Sequence, residues 1–158
     1  MTVQPQTRPP AAYLVVSDAN AALAFYAKAF GAEETFRLAA PDGRIVHSNL
    51  SLNGGQIMVS DSFPEFHGGK PRDPKSLGGT PVTIHLQLPD VDAAFARAVE
   101  AGCTVTMPLA DTFWGDRYGR LLDPFGHEWS LATTIATPSE AEIKAAAQKM
   151  FGGGPDSP

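Results

Sequence analysis

Two stretches of the chain carry the same order of hydrophobic and polar positions: YLVVSDANAALAFYAKAFGAEETF at 13–36 and HLQLPDVDAAFARAVEAGCTVTM at 85–107. Each opens on a short alternating segment, the period of a strand with one face buried. An aspartate follows, Asp18 or Asp90, whose carboxylate suits the free N–H groups of a first helical turn. Apolar positions then recur at helical spacing: Ala22, Phe25, Tyr26 and Ala29 in the first stretch, and Val91, Ala94, Phe95, Ala98 and Val99 in the second. Gly31 and Gly102 suit the left-handed residue that closes a helix.

Three strand-like pieces follow each helix. In the first half they are 33–39, 44–52 and 56–60, separated by turns at Pro41-Asp42-Gly43 and Asn53-Gly54-Gly55. In the second half they are 103–109, 117–122 and 127–133, with a turn at Asp123-Pro124-Phe125-Gly126. Agreement in element order and length predicts an internal repeat. The fold class is therefore α+β: two tandem βαβββ modules forming a curved, cleft-bearing mixed β-sheet with the helices outside. The modules are expected at 11–60 and 80–134. Residues 1–10 and 152–158 read as flexible tails, and the Pro/Gly-rich stretch 61–79 as a linker or mobile loop. A final helix is expected to about residue 151, opening at Thr137 with Pro138 in its first turn and Glu140 completing a capping box. Its apolar face, Ile143, Ala147, Met150 and Phe151, is expected to dock on the body or on a second subunit.

At 158 residues the chain is long enough for a real core, and 43% hydrophobic with 18% charged residues is an ordinary soluble composition. No apolar run reaches the roughly 20 residues of a membrane span, and the start lacks the apolar core of a secretory signal. A single cysteine, Cys103, suits a reducing compartment, so a cytoplasmic protein is expected. A net charge of −5 without a basic cluster argues against a nucleic-acid partner.

The residues Tyr13-Leu14-Val15-Val16-Ser17-Asp18-Ala19, Phe25-Tyr26, Phe30-Gly31, Ile45 to Leu50, Ile57 to Asp61, Thr112 to Gly115 and Asp123 to His127 give the chain a family likeness over about 12–133. It resembles the vicinal oxygen chelate superfamily, which includes glyoxalase I, bleomycin-resistance proteins and extradiol dioxygenases, and most of all its PhnB-like branch. In metal-dependent members, the resemblance implies, one ligand comes from the first strand and one from the last strand of each module. Those positions fall here on Ala11 and Thr83, near Met58 and on Ser130, none a usual ligand. No metal is expected at the family position. A shifted set, His47, His85 and Glu128, is the alternative, and would hold a divalent ion at a new place.

Strand alternation sorts the remaining candidates. Leu14, Val16, Leu50, Leu52, Ile84, Leu86, Leu88, Trp129 and Leu131 suit the helix side. This leaves Tyr13, Val15, His47, Asn49, Ser51, Thr83, His85, Gln87, Glu128 and Ser130 on the open side. Trp114 and Tyr118 either stack on a flat ligand or pack against another module or subunit. Arg120 either grips a polar group or pairs with Asp116 or Asp123. The expected site is thus His85, Gln87, Trp114 and Tyr118, with His47, Asn49, Glu128 and Arg120. The expected function is binding of a small organic molecule. The alternative is a lyase, isomerase or dioxygenase, with a metal or without one. Sheet edges and residual apolar surface predict a homodimer.

Overall fold

A computed structural model describes residues 2–152. Two compact units meet in sequence between Gly79 and Thr80. Each has its own four-stranded mixed sheet.

In the first unit, β1 (Ala12–Val16) is followed by α1 (Ala19–Phe30), β2 (Glu33–Ala39), β3 (Ile45–Leu52) and β4 (Gly55–Asp61), in the sheet order β1-β4-β3-β2. The β1–β4 pair is parallel and the others are antiparallel. Asp18 caps α1 by accepting from Ala21 N, and Gly31 closes it at φ 71°. The helix buries Ala19, Ala22, Leu23, Tyr26 and Ala29, so Leu23 takes the core place expected for Phe25, which is only half-buried. Leu14, Val16, Leu50, Leu52, Ile57 and Val59 form the apolar layer of the sheet.

The second unit repeats the order with β5 (Thr83–Gln87), α3 (Val91–Ala101), β6 (Thr104–Asp111), β7 (Asp116–Leu122) and β8 (Glu128–Thr134), arranged β5-β8-β7-β6. Asp90 caps α3 through Ala93 N. Val91, Phe95 and Ala98 are buried, whereas Val99 is 40% exposed and lies off the expected face. Trp129, Leu131 and Leu121 complete this core. Gly119 lets strand and helix approach: a Cβ there would lie 2.7 Å from the Phe95 ring.

The stretch after β4 is ordered where the composition suggested a linker. It holds a 3-10 turn at Pro64–Phe66 and a short helix, α2 (Pro74–Leu77), capped by the buried Asp73. Ser76 donates to both Asp73 oxygens through its backbone N and its hydroxyl. Prolines and glycines hide such single turns, because one turn has no period to detect.

The last helix, α4 (Glu140–Phe151), starts two residues later than expected. Ser139, not Thr137, is the cap, and Glu142 completes the box by accepting from Ser139 N at 2.7 Å. Pro138 therefore precedes the cap instead of entering the helix. Met150 and Phe151 are 67% and 77% exposed. Of the tail expected at 152–158, residues 153–158 lie outside the described residues. No helix among the described residues is long and apolar enough to cross a membrane.

Candidate functional site

The face of each sheet away from its helix collects the polar candidates. On β5, Thr83, His85 and Gln87 alternate with Ile84 and Leu86. The parallel register sets Thr83 beside Glu128, His85 beside Ser130 and Gln87 beside Ala132. On the other side of β8, Arg120 pairs in register with Ser130 and Tyr118 with Ala132. Five of the eight sequence candidates therefore share the open face of the second unit, and Trp114 joins them from the turn before β7.

They form a connected network. His85 Nδ1 lies 2.8 Å from Ser130 Oγ, and its Nε2 lies 2.9 Å from Gln87 Oε1. Gln87 Nε2 donates to Asp116 Oδ1 and Thr134 Oγ1. Trp114 Nε1 donates to Asp116 Oδ2 at 3.2 Å. The His85 and Tyr118 rings stack with centroids 6.3 Å apart, and Trp114 meets Tyr118 edge-on at 5.7 Å. Trp114 is 40% exposed, so an aromatic surface remains open to solvent.

Trp114 is presented by the turn between β6 and β7. Gly115 there has φ 103°, and its carbonyl accepts from Ile135 N and Ala136 N. A Cβ at Gly115 would lie 2.3 Å from the Ala136 carbonyl oxygen, so the chain leaving β8 fixes this turn at close range.

Arg120 pairs with Glu128, not with Asp116 or Asp123: its NH2 group donates to Glu128 Oε2 at 2.9 Å and to Thr83 Oγ1 at 2.5 Å. Asp116, at the start of the same strand, is held instead by Gln87 and Trp114. Asp123 is held by its own turn, accepting from Phe125 N, His127 N and Trp129 Nε1. Arg120 Nε is buried without a hydrogen-bond partner. Arg117 faces elsewhere: Asp111 and Asp92 bind it and push its guanidinium further into the charged form.

His47 and Asn49 lie on the open face of the first unit. Tyr13 Oη is 2.8 Å from His47 Nδ1, and His47 Nε2 is 3.1 Å from Asn49 Oδ1. Register makes this arrangement the counterpart of the second unit, with the two rings exchanged. Tyr13 on β1 and His47 on β3 correspond to His85 on β5 and Tyr118 on β7. Sequence reasoning placed Tyr13 on the open side but gave it no role; the repeat offset from His85 was the available signal.

Residues at the family's metal positions fit no metal. Thr83 donates to Glu128 and Ser130 binds His85, while Ala11 and Met58 offer no usual ligand atom. Both ring nitrogens of His85 are engaged, and Glu128 is bound by Arg120 and Thr83. Among the described residues no group of three or more His, Cys, Asp or Glu is placed to hold a metal ion.

A sequence profile of the Glyoxalase/Bleomycin resistance protein/Dioxygenase superfamily matches residues 8–131. The chain belongs to this superfamily. An uncharacterized protein of Mycobacterium bovis is 50% identical over 146 residues, covering 92% of this chain and 94% of that one. An uncharacterized protein of Arabidopsis thaliana is 33% identical over 134 residues, covering 77% and 76%. Among solved structures, TioX from Micromonospora sp. ML1 aligns at TM-score 0.62 and 28% identity, covering 79% of this chain and 97% of TioX. A protein from Pseudomonas aeruginosa shares the fold at TM-score 0.65 and 24% identity, covering 82% and 100%.

Proposed function

We propose that this superfamily member binds a small, flat organic molecule on the open face of its second unit, without a metal ion. The observation that carries the reading is Arg120. Its Nε–H is buried and unpaired, a state that costs about 1–3 kcal/mol. Its ion pair with Glu128 is about one-third exposed on both sides and so returns little stability. A guanidinium kept on those terms is suited to recognition: a carbonyl or carboxylate oxygen of the ligand supplies the missing acceptor after a small rotation. Trp114, Tyr118 and His85 supply the rings against which a flat body packs, and Gln87 and Glu128 set hydrogen-bonding polarity around it.

In this reading the protein is a cytoplasmic homodimer of the PhnB-like branch. Phe36 and Leu38 on β2, and Val105 and Met107 on β6, leave apolar side chains between 41% and 49% exposed, which a second copy would cover. Sedimentation at micromolar concentration tests the dimer, and a monomer contradicts it.

Metal analysis of protein purified without a histidine tag tests the central part. The expectation is no stoichiometric metal in the wild type, and ligand binding unaffected by a chelator. Stoichiometric metal lost on His85→Ala would overturn the reading in favour of a metalloenzyme.

A further inference from the structure

The first unit holds a pocket of about 860 Å³, and all the residues lining it belong to that unit. Tyr13, Val15 and Val46 line it from the sheet, and Phe63 and Phe66 from the segment after β4. Val46 reaches the pocket because β3 bulges there. Leu38 pairs with His47 and Ala39 with Ile45, so Val46 is the extra residue and turns to the open face, 41% exposed beside a buried Ile45.

Arg44 closes one side. Its guanidinium lies 4.3 Å from the centre of the Phe63 ring and pairs with Asp42 at 2.9 Å and Glu65 at 2.6 Å. The Arg44 backbone N–H and guanidinium hold Asp42 below the ordinary carboxylate range, and the same guanidinium lowers Glu65. These three charges are committed to one another, and Phe63, Phe66, Val15, Val46 and Leu77 give the pocket aromatic and aliphatic wall for a ligand body.

Of the polar groups that line the pocket, among them Ser60, Ser62, His67 and Arg72, the Tyr13 hydroxyl is one whose proton the sheet assigns. Asn49 Oδ1 can only accept, so a neutral ring at His47 places its hydrogen on Nε2. Nδ1 is then the acceptor, and Tyr13 Oη–H donates to it over 2.8 Å. Val46 O, 3.4 Å away, is another acceptor and supplies no proton. The Tyr13 oxygen therefore meets the pocket with lone pairs only.

We propose that this pocket binds an aromatic molecule with a free hydroxyl group, which donates its hydrogen bond to Tyr13 Oη. A ligand oxygen without a proton would meet those lone pairs repulsively, so Asn49 and His47 act as positioning residues that set the polarity of Tyr13. The site lies in the other unit from the face built on Arg120 and uses none of its residues.

The probes are phenol and its methyl ether anisole, titrated into the full chain by calorimetry at pH 8, where an imidazole is neutral and a phenol is protonated. The wild type is expected to prefer the phenol by about three- to ten-fold, the scale of one neutral hydrogen bond. Tyr13→Phe is expected to remove the preference while keeping the ether affinity, and His47→Ala, which frees the Tyr13 proton, to reduce it. Circular dichroism establishes that both variants are folded. Equal affinities in the wild type, no binding of either probe, or a preference that survives Tyr13→Phe would overturn the proposal.

Discussion

The carboxylate of Asp61 at the end of β4 accepts from Ala19 N, the first residue of α1, at 2.8 Å, and from Ile45 N at the start of β3 at 2.6 Å. One buried side chain thus ties helix, central strand and neighbouring strand together. The second unit solves the same problem with a hydroxyl: Thr133 Oγ1 accepts from Val91 N at 2.7 Å and donates to Leu88 O at 2.8 Å. An aspartate joins three elements where a threonine joins two.

The difference predicts unequal costs. Asp61→Ala orphans two backbone N–H groups and should destabilise the protein by about 2–4 kcal/mol; Thr133→Val orphans one and should cost about 1–2 kcal/mol. Urea unfolding followed by circular dichroism measures both, and equal losses would contradict the account.

Cys103 sits under the end of α3, and burial, with Asp123 adding repulsion, pushes its thiol from 9.0 up to about 12. The thiolate is the reactive form, so the folded protein should resist iodoacetamide at pH 8 and react once unfolded in urea. The same shift predicts stability that is full below pH 9 and falls as pH rises toward 12, because the unfolded thiol ionises first. Fast labelling of the folded chain at pH 8 would contradict the burial.

Arg120 and Glu128 should be separable from folding. The double variant Arg120→Met/Glu128→Gln removes the pair and the orphaned Nε together, so its stability should stay within about 1 kcal/mol of the wild type. Affinity for a flat carboxylate probe such as 4-nitrobenzoate should fall by about ten-fold or more, the scale of a hydrogen bond to a charged group. A collapse in stability with affinity intact would make the pair structural.

The fold was legible because both halves state it in the same code. Asp18 with Gly31, and Asp90 with Gly102, delimit the helices, and alternation alone placed Leu14, Leu50, Leu86 and Trp129 in the core. The open-face assignment of Thr83, His85, Gln87, Glu128 and Ser130 follows from the same parity, and their register now puts them in one network. Three features lay outside that code. The bulge at Val46 breaks parity locally and depends on how β2 pairs with β3. The turns at 64–66 and 74–77 are shorter than any detectable period. Sequence offers Asp116 or Asp123 to Arg120, whereas the partner is Glu128 on the neighbouring strand β8, and both aspartates accept from other donors.

The most direct test of the proposed face uses the two indoles as reporters. Trp114 Nε1 donates to Asp116 on that face, while Trp129 Nε1 is buried against Asp123 beneath the sheet. In a ¹H–¹⁵N titration with 4-nitrobenzoate in the presence of a chelator, the Trp114 indole and Arg120 Nε–H signals should shift together with one dissociation constant while the Trp129 indole stays still. Signals of Trp114 and Arg120 that do not move, or that move only when a divalent metal is added, would contradict metal-free binding on this face.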